Sequence, residues 1–233
     1  MTRPNLAGAH DSARHMAFAL LMTAALAATP PATAADQPPA EWDGLVRVDS
    51  KQIDLLYKLP GADFSGYKRV RLDPIEVEFD KNWKPNQSER STSGRLTNTD
   101  LEKIKTTLAE EFRKVFTEEL TNNGYPVVAE DGDDVLRVSA AIVNLYITAP
   151  DKPTAGRSRT YTTNAGHMTL AAELRDSVTG KLMARAVDSV QARDTGTFTV
   201  TTSVTNLAGA RTALSKWARV LREGLDAATG RAK

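Results

Sequence analysis

The sequence predicts an α+β fold: a single mixed, mostly antiparallel sheet packed against two amphipathic helices. Three observations predict it. Apolar residues recur at threes and fours in two long stretches, from Leu101 to Leu120 and from Leu207 to Leu225, as a helix with one buried face requires. Shorter stretches with the period or the apolar density of strands lie at 67–72, 75–79, 135–147, 168–175 and 181–193. The helices fall outside the strand run, which favours an α+β layer with an antiparallel-leaning sheet.

The chain opens on a segment of a different kind. Residues 16–28 carry no charge and are almost all apolar, Arg3 and Arg14 precede them, and Thr29-Pro30-Pro31 and Ala32-Thr33-Ala34-Ala35 follow. A basic start, a short apolar stretch and small residues at −3 and −1 make a secretory signal, with cleavage expected between Ala34 and Ala35. The alternative is a membrane anchor, but a helix of this length rises only about 20 Å against a hydrocarbon core of roughly 30 Å. Met16 could also serve as the start, at the cost of Arg3 and Arg14, so Met1 is preferred. The expected organisation is a signal peptide over 1–34, a flexible lead-in over 35–44, one α+β domain over 45–228 and a tail over 229–233. A periplasmic location follows from the signal.

Residues 45–60 show no clean period and read as an arm packed on the domain. Tyr67–Leu72 alternates apolar with basic residues. Asp73-Pro74 interrupts it, because proline has no N–H for a sheet ladder, and Ile75–Phe79 resumes with acids on the outer face. Basic and acidic faces in succession suggest ion pairs across one sheet surface. Residues 80–98 form a loop, after which Thr99 and Glu102 fit a capping box for the first helix. Asn122-Asn123-Gly124-Tyr125-Pro126 supplies its stop. A short strand at 126–129, an acidic turn over Glu130–Asp134 and a long, nearly continuous apolar strand at 135–147 follow, the last expected to be central. A loop at 149–166 precedes two strands joined by the turn Asp176–Gly180, with glycine where positive φ is needed. A threonine-rich link, Thr195 to Thr205, leads to a last helix capped by Asn206. There is no internal repeat.

Of 30 basic and 29 acidic side chains, the leader holds Arg3, Arg14 and Asp11, which leaves the rest balanced. Nucleic-acid binders gather a basic excess on one face, so no nucleic-acid partner is expected. Cysteine is absent. Disulfides, thiolate zinc sites, cysteine nucleophiles and an N-terminal lipid on a lipobox cysteine are therefore not expected.

Candidate chemistry is sparse. Outside the leader the one histidine is His167, read as a surface or strand-end residue, with a catalytic base as the alternative. The acidic turn lacks the bidentate glutamate of a calcium loop. Glu76 and Glu78 share a face and could be offered, with Asp73 and Asp80, as an acid–base pair; an outward acidic strand face is the ordinary reading. No phosphate-binding glycine loop and no nucleophile elbow is present, so no cofactor is expected. Two loops carry residue types that dominate binding hot spots. One holds Trp83, Arg90 and Arg95, the other Arg157, Arg159 and Tyr161. The alternative is that Trp83 packs back on the core and the arginines keep the loops soluble.

These segments carry a resemblance. Tyr67-Lys68-Arg69-Val70-Arg71-Leu72-Asp73-Pro74-Ile75-Glu76-Val77, the helix near 100–122, Val135–Val138 and Asp176-Ser177-Val178-Thr179-Gly180-Lys181-Leu182 resemble, in order and texture over about residues 44–228, the bacterial exported-protein family catalogued as domain of unknown function 3313. The resemblance implies an envelope protein without assigned activity and supplies no site residues. Lipoprotein-like members are common in such families, and this sequence departs from them in lacking the cysteine. The expectation is a non-catalytic module that binds an envelope protein or glycan. A hydrolase with an unrecognised carboxylate site, or a small-molecule or lipid carrier, stands as the alternative.

Overall fold

The computed structural model describes residues 38–83, 96–147, 160–162, 166–191, 199–201 and 203–231, of which 160–162, 199–201 and 203–206 are described by backbone alone. The leader, the expected cleavage point and residues 35–37 of the lead-in lie outside them. The chain divides into two compact units, Met1–Pro38 and Pro39–Lys233, and every described element belongs to the second. In chain order these are β1 (Glu41–Trp42), β2 (Leu45–Val48), β3 (Leu55–Lys58), β4 (Arg69–Leu72), β5 (Glu76–Phe79), α1 (Asn98–Asn122), β6 (Val127–Val128), β7 (Val135–Tyr146), β8 (Thr160–Thr162), β9 (His167–Asp176), β10 (Leu182–Gln191), β11 (Thr199–Thr201) and α2 (Ser203–Thr229).

The fold is the expected α+β layer. A mixed nine-stranded sheet runs β1-β2-β3-β10-β9-β7-β4-β6, with β5 also paired to β7. From β1 to β7 every pairing is antiparallel, whereas β4 and β5 join β7 in parallel and β6 joins β4 in parallel. Strand β7 is central as expected, for both its edges are paired. Strands β8 and β11 pair antiparallel as a separate two-stranded ribbon.

One face of the sheet meets both helices. Val70, Leu72, Val77, Leu136, Val138, Ile142, Met168 and Leu170 from the strands form one core with Leu108, Phe112, Val115, Phe116 and Leu120 of α1 and Leu214, Trp217 and Leu225 of α2. Period two along β7 then forces Arg137, Ser139 and Ala141 onto the opposite face. No helix among the described residues is long and apolar enough to cross a membrane.

Four local expectations are corrected. The lead-in does not stay structureless to residue 44: Glu41–Trp42 pairs with Leu45–Val46, around Asp43 and Gly44 at φ 53° and 77°. Asp-Gly is the dipeptide that a tight hairpin turn with two positive φ angles favours. Residues 45–60 are more than a packed arm, since β2 and β3 extend the sheet beyond β10. Helix α1 is capped two residues earlier than expected. The Thr97 side chain accepts the Asp100 amide at 3.2 Å while Asp100 Oδ2 accepts the Thr97 amide at 2.8 Å, so a shorter acid closes the same reciprocal box. Helix α2 begins at Ser203, which places Asn206 inside the helix rather than at its cap.

The ion pairing differs as well. Strands β4 and β5 lie end to end along β7 rather than side by side. Arg69 and Arg71 therefore reach Asp134, Asp131 and Asp73 instead of Glu76 and Glu78. Beside the bulge in β7, where Asn144 takes φ 53°, the chain re-enters the sheet through Gly166. A Cβ there would meet the Tyr146 carbonyl oxygen at 2.0 Å at a φ of +123°, so glycine is required.

Candidate recognition surfaces

The six residues singled out from the sequence fare differently. Trp83 is not an exposed contact residue: it is 9% exposed. Its ring stacks on Phe79 at 4.3 Å and its Nε1 donates to the Ile147 carbonyl at 2.8 Å. The ends of β5 and β7 thus supply the apolar face and the acceptor that a buried indole needs. Arg90, Arg95, Arg157 and Arg159 lie outside the described residues. Tyr161 is the middle residue of β8, where its backbone pairs with Val200. The loop at 149–166 and the threonine-rich link thereby converge into one ribbon, with Thr160 opposite Thr201 and Thr162 opposite Thr199.

His167 opens β9 opposite Tyr146, and the two rings stack at 5.1 Å; it is the strand-end residue expected. Glu76 and Glu78 are exposed on β5. The hollows along α1 and α2 are lined by other residues, among them Lys114, Arg211, Ser215 and Arg219. Among the described residues no group of acids and histidines could hold a metal ion.

The face of the sheet turned away from the helices carries a feature that no single segment announces. Arg71 on β4, Arg137 on β7 and Arg175 on β9 are direct register partners across three adjacent strands. Like charges directly opposite one another destabilise a sheet, so this row needs counter-charge, and Asp73 and Glu173 provide it. Asp73 Oδ2 accepts Arg137 Nε at 2.7 Å and also the Ser139 hydroxyl, while its Oδ1 lies 3.4 Å from Arg71. Glu173 divides its oxygens. Oε2 accepts Nε and Nη2 of Arg175, and Oε1 accepts Nε and Nη2 of Arg185. Arg185 then reaches Asp43 at 2.9 Å and lies 4.0 Å over the Trp42 ring. The Trp42 ring in turn meets Tyr57 edge-on at 5.7 Å. The network therefore clamps the β1–β2 hairpin to the sheet. In sequence these arginines lie on separate strands, and only the register brings them together.

Both central carboxyls are held below their ordinary values. For Asp73, burial pushes the pKa up, but hydrogen bonds from Ser139 and Arg137 and the charges of Arg137 and Arg71 together outweigh it. For Glu173, burial again pushes up, and Arg185 and Arg175 outweigh it. A depressed folded-state pKa adds stability that is complete well above the ordinary value, 3.8 for Asp73, and is lost as pH falls through the depressed one. Asp73→Asn is accordingly expected to flatten the acid limb of stability against pH. Urea unfolding from about pH 6 to about pH 3 measures this. Equal slopes for wild type and variant would show that Asp73 is not held low.

The model of the family described as protein of unknown function (DUF3313) matches residues 40–221. No curated protein matches the chain. Among solved structures, similarity is found to the PelC dodecamer from Paraburkholderia phytofirmans, at 10% identity and TM-score 0.34 over 69% of this chain and 95% of that one. A minor lipoprotein from Acinetobacter baumannii matches at 11% identity and TM-score 0.30, over 71% and 95%. A DUF4136 family protein from Bacteroides thetaiotaomicron matches at 11% identity and TM-score 0.34, over 78% and 98%. At these scores the likenesses carry no argument about what the chain does.

Proposed function

The chain belongs to the DUF3313 family of proteins of unknown function, and from that premise we propose a non-catalytic protein of the bacterial cell envelope. On this reading the leader exports it to the periplasm, and it binds another envelope component, protein or glycan, through the β8–β11 ribbon and the loops around it. The observation that carries the reading is the convergence of two segments about 40 residues apart into that ribbon, at Thr160–Thr162 and Thr199–Thr201. Its strands pair with each other and not with the nine-stranded sheet, and segments that connect the elements of a rigid scaffold are where recognition residues concentrate. Arg157, Arg159 and Tyr161 sit in or beside it in sequence, and Arg90 and Arg95 belong to the second loop assigned to the same role.

The test is site-specific photocrosslinking in cells expressing the full chain, with the probe at Arg157 or Tyr161 and, as control, at exposed Glu78 on β5. A single recurring adduct, identified by mass spectrometry or glycan analysis, is expected from the first two positions alone. It should weaken when Arg159 is replaced by alanine. The same adducts from Glu78, or none from Arg157 and Tyr161, would remove the ribbon from the reading.

A further inference from the structure

The arginine row on the open sheet face has one member whose terminal nitrogens are both unbonded among the described residues. Arg175 engages Nε, Nη1 and Nη2, with Glu173 and the Gly180 carbonyl. Arg185 likewise engages all three, with Glu173 and Asp43. Arg71 spends its two terminal nitrogens on Asp131 and Asp73. Arg137, at the centre, gives only Nε to Asp73. Its Nη1 and Nη2 meet no partner among the described residues, and its side chain is 37% exposed. Asp73 is in turn fixed by Ser139, so the guanidinium is held by its inner edge with its outer fork free.

The local charge is uneven. Four guanidiniums, on Arg71, Arg137, Arg175 and Arg185, share two inner carboxylates, Asp73 and Glu173, whose side chains are 12% and 28% exposed. The carboxylates that complete the balance, Asp131 and Asp43, stand at the rims with side chains 47% and 60% exposed. Water screens such outer charges more strongly than inner ones, which leaves the centre of the row electropositive. A planar guanidinium fork matches two oxygens of one phosphate or carboxylate, and the match is lost with lysine, which acts as a point charge.

We infer that the open face of the sheet binds an oxyanion group, phosphate or carboxylate, on the free fork of Arg137, with Arg71 and Arg175 flanking it across the strands. This site is distinct from the ribbon and does not depend on it.

The experiment follows the Arg137 side-chain nitrogen resonance in the full domain. Inorganic phosphate and acetate are titrated against chloride at matched ionic strength, and vesicles of phosphatidylglycerol are compared with vesicles of phosphatidylcholine. Saturable movement of the Arg137 signal with phosphate or acetate but not chloride is expected. Movement with phosphatidylglycerol alone would assign the same group to a lipid headgroup. Arg137→Lys, which keeps the charge, is expected to weaken binding at least about tenfold, while Arg219→Lys on α2 leaves it unchanged. An Arg137 signal unmoved by every anion, a chloride effect equal to that of phosphate, or a lysine variant that binds like wild type would overturn the inference. The wild-type titration decides the matter alone if the lysine variant does not fold.

Discussion

Asp188→Ala is expected to cost about 3–5 kcal/mol of folding stability, the range for removing one member of a buried charged network. Asp188 lies on the helix-facing side of β10, opposite Leu170, and is 2% exposed. Its Oδ2 accepts Trp217 Nε1 at 2.7 Å and Lys216 Nζ at 2.8 Å, and its Oδ1 accepts the Asp54 amide at 3.1 Å. Asp54 answers by accepting the Ser189 amide at 2.9 Å. One carboxylate thus ties the segment before β3, strand β10 and helix α2 together. Alanine would strand the buried Trp217 indole N–H away from water and take the acceptor from the part-buried Asp54 amide, and an unsatisfied buried donor costs more than the net worth of the bond it lost. Lys216 contributes less to the loss, because its side chain is 42% exposed and can turn to solvent. Asp188→Asn keeps an acceptor for Trp217 and should lose less than alanine does. Against a typical total of about 5–15 kcal/mol, the alanine variant would sit near its unfolding midpoint at low urea. A change in urea midpoint worth under about 1 kcal/mol would remove Asp188 from this role.

The same residue shows where the sequence stops speaking. Along Arg185-Ala186-Val187-Asp188-Ser189 the alternation offers no reason to bury the acid rather than the valine. Val187 faces away from the helices and Asp188 toward them, because β10 is pinned in register to β9, with Ala186 opposite Ala172 and Asp188 opposite Leu170. Register is non-local, and so is the arginine row, whose members lie on strands far apart in the chain. What was legible was local. The stripes Leu108-Phe112-Phe116-Leu120 and Leu214-Trp217-Leu225 are buried as their spacing demands, and Gly124 and Gly180 take the positive φ their turns require. Asp43-Gly44 was a legible signal too, but the strands it joins are so short that a proline-rich lead-in masks them. Trp83 shows the limit for sites. A tryptophan in a polar stretch looks exposed until the fold brings Phe79 and the Ile147 carbonyl to it.

Phe112→Ala tests the other support of the fold, the apolar seam between α1 and the rest of the core. Phe112 is 2% exposed and stacks on Phe116 at 4.1 Å, one helical turn on. It belongs to the cluster that joins both helices to the sheet, and α1 packs against α2 as well as β5 and β6. Removing the ring forfeits its transfer free energy and leaves a cavity that a rigid sheet cannot collapse to fill, so a loss of about 3–5 kcal/mol is expected. Phe112→Leu keeps most of the volume and should cost much less. The pair separates packing from helix propensity, because alanine is the best helix former and leucine nearly as good. A propensity effect would leave alanine the more stable variant, whereas a packing effect makes leucine so. Urea unfolding of both variants reads the order directly. If alanine proved the milder change, α1 would be held by its own helical preference, and the core assigned to Phe112 would have to be placed elsewhere.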